Sequence, residues 1–251
     1  MTLLEICVDS PDGAILAAAA GADRVELCSA LPVGGVTPSA GALAVARASI
    51  EIPIMVLVRP RAGDFVHGPS ELAAMAADID IAKASGANGV VLGVLTPEGD
   101  VDEDACALLI ERARPLQVTF HRAFDHTRDA REALAACLRL GVERVLTSGQ
   151  AATASEAIDL LTELVTAAGD DLIVMPGGGV REFNVAELVA ATGCREVHAS
   201  AGVTLDGPTT FRNDACSVSG AAPPAEHERS TTDPAAVRAL KAALQANPGS
   251  N

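Results

Sequence analysis

The sequence predicts one α/β domain folded as a (β/α)8 barrel of the TIM type, and three observations support this prediction. The first is the length, since 251 residues suit a single barrel domain. The second is the regular alternation of short β-rich runs with alanine-rich helical stretches along the chain. The third is a repeated junction in which a glycine ends a helix and leads directly into a strand. A doubly wound sheet is the alternative fold, but such sheets usually have fewer strands at this length.

Eight strands and eight helices are expected to span the chain as a single domain over residues 1–251. The predicted strands cover residues 3–8, 24–28, 53–59, 88–94, 116–121, 143–148, 171–176 and 195–200. Helical patterns fill the gaps between them, for example at 70–85 and 154–168. Residues 202–232 are polar and rich in turn-forming residues, so we expect an irregular loop there, lying across the top of the barrel. A last amphipathic helix over residues 233–246 completes the eighth unit.

The repeated junction determines which side chains of the even-numbered strands face inward. Each copy begins with a glycine placed to end its helix in the left-handed region. The four glycines are Gly21, Gly86, Gly141 and Gly193. Four positions later the residue is always valine, and these valines are expected to face the helices that cover the barrel. The residues five and seven positions after each glycine then face the lumen.

The same test applied to strands one, three and five gives a polar lumen, whereas strand seven cannot be oriented in this way. The side chains expected inside are Glu5, Cys7, Asp9, Glu26, Cys28, Arg59, His121, Ser148, His198 and Ser200. A purely structural barrel interior holds layers of branched aliphatic residues. Unpaired charges buried in it would be strongly destabilising. A binding or catalytic pocket is one interpretation, and an ion-pair network that only stiffens the barrel is the other.

A candidate catalytic set consists of two carboxylates, one guanidinium and two imidazoles. Its members are Glu5, Glu26, Arg59, His121 and His198. A carboxylate beside an imidazole is general acid–base equipment, and an arginine can hold an anionic group of a substrate. This set predicts a lyase, isomerase or hydrolase that acts on a small anionic metabolite, phosphorylated or not.

A candidate anion site follows strand seven, where Met-Pro-Gly-Gly-Gly leads into a helical pattern. Backbone N–H groups of Gly177, Gly178 and Gly179 could hold an anion there, because barrels often bind phosphate after strands seven and eight. Ser148 and Ser200 lie at the ends of neighbouring strands and complete the predicted site. Three glycines are also what a tight turn from strand to helix requires, and this reading stays open.

Two cysteines form a candidate metal site, because Glu-Ile-Cys7 and Glu-Leu-Cys28 repeat one pattern on adjacent strands. If the strands are in register, the two sulfurs face one lumen at about the strand spacing of roughly 5 Å. Two convergent thiolates suit a soft ion such as Cu(I). The alternative is that both cysteines pack as small buried hydrophobes.

Composition indicates which partners and locations to expect. The formal net charge is −15, and the chain has five Phe but no Tyr or Trp, which argues against a nucleic-acid partner. The amino terminus has no basic region followed by an apolar stretch, and no run of 18 apolar residues occurs, so neither a signal peptide nor a membrane span is expected. The six scattered cysteines, without a Cys-x-x-Cys pair, are typical of reduced thiols in a cytoplasmic protein.

With these residues in view, the chain resembles the CutC copper-homeostasis family over about residues 3–214. The matching segments are 5–10, 22–29, 34–39, 59–65, 118–125, 144–149, 175–179 and 198–201. The family usually has glycine where this chain has Ala62, and residues 215–232 depart most from its pattern. The resemblance implies a TIM barrel, a cytoplasmic role in copper handling with Cu(I) at Cys7 and Cys28, and a homodimer or higher homo-oligomer. It does not supply a reaction.

Overall fold

Eight parallel strands form a nearly closed barrel in the computed structural model, which describes residues 2–212 and 227–246. The strands are β1 (Leu3–Val8), β2 (Arg24–Leu27), β3 (Ile54–Leu57), β4 (Gly89–Leu92), β5 (Gln117–Phe120), β6 (Arg144–Thr147), β7 (Ile173–Pro176) and β8 (Glu196–Ala199). Hydrogen bonds join them in sequence from β7 back to β1, and β1 also pairs with β8. A Cβ placed on Gly177, directly after β7, would lie 3.3 Å from Cβ of His198 in β8, so the two end strands are neighbours. The predicted TIM barrel is therefore confirmed.

Within the described residues, eight helices alternate with the strands. They are α1 (Pro11–Ala19), α2 (Ala40–Ser49), α3 (Pro69–Ala84), α4 (Glu103–Ala113), α5 (Ala130–Leu140), α6 (Ile158–Ala168), α7 (Val185–Thr192) and α8 (Pro234–Ala246). Short polar residues begin several of them, because their side chains accept hydrogen bonds from free N–H groups of the first turn. Ser10, Ser39, Asp102 and Asp129 do this for α1, α2, α4 and α5. Single 3-10 turns precede α2, α5 and α6.

The repeated junction has the predicted geometry. Gly21, Gly86, Gly141 and Gly193 all have positive φ, at 100°, 78°, 66° and 68°. The valines four positions later are fully buried in the apolar layer between strands and helices. A separate small cluster of Cys7, Cys28, Met55, Leu57 and Val91 lies inside the barrel. The predicted inward and outward faces of β1 to β4 are thus confirmed.

The segment before the last helix differs from the expected irregular loop. Residues 202–206 and 228–232 form an antiparallel pair of strands, β9 (Gly202–Asp206) and β10 (Glu228–Thr232). Alternation of Val203 and Leu205 with small polar residues, opposite a threonine-rich strand, accounts for this pairing. The N–H of Asp233 donates to the carbonyl of Ala201 at 2.8 Å, so both ends of the pair meet at the carboxyl end of β8.

Residues 213–226, which include Cys216, lie outside the described residues. Within residues 2–212 and 227–246, no helix combines the length and the apolar character needed to cross a bilayer.

Candidate functional site

An ion-pair network fills the amino-terminal half of the lumen. Arg24 contacts Glu5 through Nε and Glu196 through Nη2, the latter at 2.5 Å. Arg144 donates from Nε to Oε2 of Glu196 at 2.9 Å. All four side chains are buried, with two positive and two negative charges, and buried charges are tolerated only when they are paired in this way. The interpretation of the lumen as an ion-pair network that stiffens the barrel therefore applies to this amino-terminal layer, which we call the lower layer.

Three members of this lower layer were missing from the predicted lumen. Arg24, Arg144 and Glu196 stand three positions after the glycines of their junctions, on the same side of the strand as the residues at positions five and seven. Charged residues at the very start of a strand resemble loop residues, which is why composition alone did not reveal them. The repeat itself carried the signal, since alternate strand residues share a face.

The network connects to the upper layer through Glu5 and His198, which lie opposite each other on β1 and β8. Nδ1 of His198 and Oε1 of Glu5 are 2.8 Å apart. Burial alone would raise the pKa of Glu5, but the hydrogen bond from His198 and the charge of Arg24 outweigh it and bring the pKa to about 2. Burial opposes the charge of His198, yet Glu5 and Glu26 raise its pKa. Both carboxylates therefore favour the protonated ring of His198, which contacts Glu5 directly.

Two thiols and a carboxylate lie directly above this pair. The register of β1 and β2 places Cys7 opposite Glu26, and the thiol of Cys7 donates to Oε1 of Glu26 at 3.2 Å. The sulfurs of Cys7 and Cys28 are 3.8 Å apart. Ligand atoms of Cys7, Glu26 and His198 all lie within 4.8 Å of one another, which is close enough for one metal ion.

The pKa values of both ionisable groups at this point are raised. The hydrogen bond with Cys28, burial and the charge of Glu26 all raise the pKa of Cys7 well above its usual value. Burial raises the pKa of Glu26 against the opposing charge of His198. Oε2 of Glu26 is buried and has no hydrogen-bond partner within the described part of the chain.

The two thiols differ in access. Cys7 lines a cavity at the carboxyl end of the barrel, whereas Cys28 is fully buried behind it. A Cβ placed on Gly35, which has a φ of 83°, would lie 3.5 Å from the sulfur of Cys28, so the loop after β2 covers this thiol. Any ligand must therefore reach the pair from the side of Cys7.

The cavity above the thiols has a volume of about 250 Å³. Of the predicted site residues, it brings together Cys7, Glu26, Arg59, His121, Gly178, Gly179, His198 and Ser200 along its wall. Four predicted residues support the wall from behind and do not line it: Glu5, Cys28, Ser148 and Gly177. The rest of the lining includes Phe65, Arg122 and Arg181.

His121 is an uncharged hydrogen-bond donor in this wall. Its Nδ1 accepts from the N–H of Ala123 at 3.2 Å, which leaves the proton of the neutral ring on Nε2. Burial, with a contribution from the charge of Arg59, lowers the pKa of His121 to about 3. Gly93 makes room for the ring, since a Cβ there would lie 2.7 Å from Nδ1. Nε2 is buried and has no partner among the residues that the structure describes.

Arg59 is held by its backbone surroundings. Nη1 donates to the carbonyls of Val33 and Gly35 at 3.1 and 2.9 Å, and Nη2 donates to Gly63 at 2.7 Å. The guanidinium lies 4.8 Å from the ring centre of Phe65. Its charge reaches the cavity while most of its donors order the loops after β2 and β3.

In the glycine-rich turn after β7, Gly177 extends the sheet, whereas Gly178 and Gly179 line the cavity. The N–H of Gly177 donates to the carbonyl of Thr147 at 2.9 Å, which continues the pairing with β6. Gly178 and Gly179 have φ values of 93° and 74° and face the cavity. Ser148 is fully buried and donates to the carbonyl of Ala151 at 2.7 Å.

Two arginines at the cavity mouth were not predicted. Arg122 donates from Nε to Asp125 at 2.7 Å and from Nη2 to Ser148 at 2.9 Å. Asp125 also accepts from the N–H of Ser148 at 3.0 Å, so the acid orders both residues. Arg181 follows the glycine turn after one residue, Val180. Their positions, directly after His121 and two residues after Gly179, were the available signal.

Comparison with known proteins identifies the family. A profile of the CutC family matches residues 2–203. A human copper homeostasis protein cutC homolog is 44% identical over 240 residues, which cover 96% of this chain and 88% of the relative. A CutC protein of Chromobacterium violaceum is 46% identical over 242 residues, covering 96% and 98% of the two chains.

A solved structure agrees with this match. The crystal structure of CutC from Streptococcus agalactiae superposes with a TM-score of 0.76 at 32% identity, covering 80% of this chain and 99% of that one. The chain therefore belongs to the CutC family, whose human and mouse members are named copper homeostasis proteins.

Proposed function

We propose that the protein binds Cu(I) at the floor of the cavity through Cys7 and Cys28, as part of copper homeostasis. The observation that carries this proposal is the pair of sulfurs 3.8 Å apart, with Cys7 on the cavity wall. Soft thiol ligands select Cu(I) over the harder ions of the cell. The names of the human and mouse relatives support the same role.

The groups around the thiols suit a metal ion. Glu26 and His198 supply a carboxylate and an imidazole within reach of Cys7. His198 directs Nδ1 at Glu5, which leaves Nε2 as the ligand atom once the ring loses a proton. A carboxylate behind a histidine is the usual support for a metal-binding imidazole.

Binding must release protons, because thiolates and neutral imidazoles are the ligands. The raised pKa of Cys7 means that its thiol is protonated in the free protein. Glu26 accepts the hydrogen bond of that thiol and is the nearest base for its proton. The affinity for Cu(I) should therefore rise with pH.

The proposal includes a cytoplasmic location and assembly into a homodimer or a larger homo-oligomer. Free thiols at the site require a reducing compartment. A groove between α3 and α4, lined at the surface by Leu72, Ala76 and Leu108 and bordered by Glu111 and Arg112, supports assembly, since Leu108 is 69% exposed there. Light scattering on purified protein tests the assembly, and a strictly monomeric mass at all concentrations contradicts it.

Anaerobic titration with Cu(I), in competition with a coloured chelator, tests the copper site. Wild-type protein should bind one equivalent, with a dissociation constant that falls as the pH is raised. Cys7→Ser and Cys28→Ser should each weaken binding at least tenfold, and the double variant should lose the site.

Cys194→Ser is the matched control, because this buried thiol precedes β8 at the other end of the barrel. It should leave the affinity unchanged. Equal affinity of the wild type and the Cys7→Ser/Cys28→Ser double variant would refute the copper site.

A further inference from the structure

The cavity contains space and polar groups that a metal ion at its floor does not use. Its volume of about 250 Å³ is much more than a single ion needs. The arginines, glycine amides and His121 all lie on its wall. These groups indicate a ligand larger than an ion, and each of them limits the chemistry of that ligand.

Positive charge is concentrated at the mouth, although the whole chain carries −15. Arg181 donates from Nη1 to the carbonyl of Val180 at 2.8 Å and has no carboxylate partner within residues 2–212 and 227–246. Arg122 shares its charge with Asp125 but keeps Nη1 without a partner in the same ranges. A cationic mouth on an acidic protein attracts small anions.

Backbone donors lie beside these cations. The N–H groups of Gly178 and Gly179 have no acceptor in the part of the chain that the structure describes. A Cβ placed on Gly178 would lie 3.5 Å from Cζ of Arg122, so the glycine turn and this guanidinium are direct neighbours. Ser200 follows the neighbouring strand β8 and adds a hydroxyl to the same part of the wall. Several N–H and O–H donors around one point suit a tetrahedral dianion.

Deeper in the cavity, His121 indicates a second feature of the ligand. Its Nε2–H is a buried donor without a partner in the described ranges, and an unsatisfied buried donor is costly. The ring is uncharged, so it suits a carbonyl or hydroxyl oxygen better than a second anion. Nε of Arg59 is likewise buried and unpartnered among the described residues.

We propose that the cavity binds a small phosphate monoester, with its phosphate on Arg122, Arg181 and the amides of Gly178 and Gly179, and with a carbonyl or hydroxyl oxygen on Nε2 of His121. This binding function goes beyond the proposed copper site and does not depend on it. It requires no change in the thiols, because the phosphate lies at the mouth and the thiols lie at the floor.

Dihydroxyacetone phosphate is a suitable probe, since it is small and carries a phosphate, a carbonyl and a hydroxyl group. Calorimetric titration of metal-free protein should show saturable binding of this probe, weaker binding of inorganic phosphate and no binding of unphosphorylated dihydroxyacetone. Arg122→Gln and Arg181→Gln should each weaken binding of the probe roughly tenfold to a hundredfold, as expected for loss of a charged hydrogen-bond partner.

Arg195→Gln is the matched control, because it removes the same charge at the other end of the barrel, where Arg195 pairs with Asp170. It should bind the probe as the wild type does. His121→Asn should weaken binding of the probe but not of inorganic phosphate. Circular dichroism establishes that each variant is folded before titration.

The outcomes separate this proposal from the copper proposal. Cys7→Ser/Cys28→Ser should keep its affinity for the probe, whatever its affinity for Cu(I). The anion site is overturned if wild-type protein does not bind dihydroxyacetone phosphate. The site is also overturned if Arg195→Gln weakens binding of the probe as much as Arg122→Gln and Arg181→Gln do, because that result would indicate only a general effect of charge.

Discussion

Replacement of Arg24 by methionine should remove the positive charge that joins two buried carboxylates. Among the residues that the structure describes, Glu5 would keep only His198 as a charged partner, and Glu196 would keep only Arg144. Breaking a buried ion pair from one side typically costs about 3–5 kcal/mol, because the remaining charge stays buried. For a domain of this size each kcal/mol lowers the melting temperature by roughly 2–4 °C, so we expect a decrease of roughly 6–20 °C.

The pH dependence of this loss follows from Glu5. Its pKa falls from 4.5 to about 2 on folding. That shift contributes about 3 kcal/mol of stability, which is present above pH 4.5 and is lost as the pH falls towards 2. Without Arg24 the pKa of Glu5 rises, so the variant loses less from this source in acid. The difference in unfolding free energy between wild type and variant should therefore shrink as the pH is lowered.

Urea denaturation followed by circular dichroism, at neutral pH and at several acidic pH values, measures this difference. Arg112→Met is the control, since Arg112 pairs with Asp80 at the surface and both side chains are 50% exposed. Its cost should be about 0–1 kcal/mol. A cost for Arg24→Met as small as that of the control, or one that stays constant with pH, would refute the account of the lower layer.

Other parts of the fold give further expected outcomes. Gly89→Ala should destabilise the protein by about 1–3 kcal/mol in chemical denaturation, because its Cβ would lie 2.7 Å from the carbonyl oxygen of Gln117. Gly41→Ala, in the exposed first turn of α2, should instead stabilise it by about 0.5–1 kcal/mol. Asp129→Ala should cost about 1 kcal/mol by thermal denaturation, since Asp129 accepts from two N–H groups of α5. Cys106 is fully buried with a pKa raised to about 12, so mass spectrometry should find it unalkylated by iodoacetamide in folded protein at pH 8.

The barrel and much of its lumen could be predicted from the sequence because alternation in a strand assigns faces. Once the four junction glycines aligned the even strands, the valines had to face the helices and Glu26 and His198 had to face inward. Alternation does not determine register, since a shift of two residues keeps every face. The two sulfurs were expected at about the strand spacing on the assumption that Cys7 lies opposite Cys28. In the structure Cys7 lies opposite Glu26 instead, and its sulfur is 3.8 Å from that of Cys28.

Contacts made by loops were beyond the reach of strand patterns. The sequence indicated that Arg59 faces inward, but not that carbonyls of the loops after β2 and β3 would occupy its Nη groups. Arg122 and Arg181 lie beyond the strand ends, where no periodicity assigns a direction. Twenty-one residues separate the end of β9 from the start of β10. Local sequence patterns do not indicate a pairing between segments so far apart.

The buried charges of the lower layer close the amino-terminal end of the barrel, and this closure has a kinetic consequence. An ion held at Cys7 could enter and leave only past the mouth, so loading and release would share a single route. An anion seated at that mouth would obstruct the route and attract the cation behind it. An ion that binds before the anion would then dissociate more slowly than an ion bound alone. The dissociation rate of the ion, more than its equilibrium affinity, would show whether the anion is also bound.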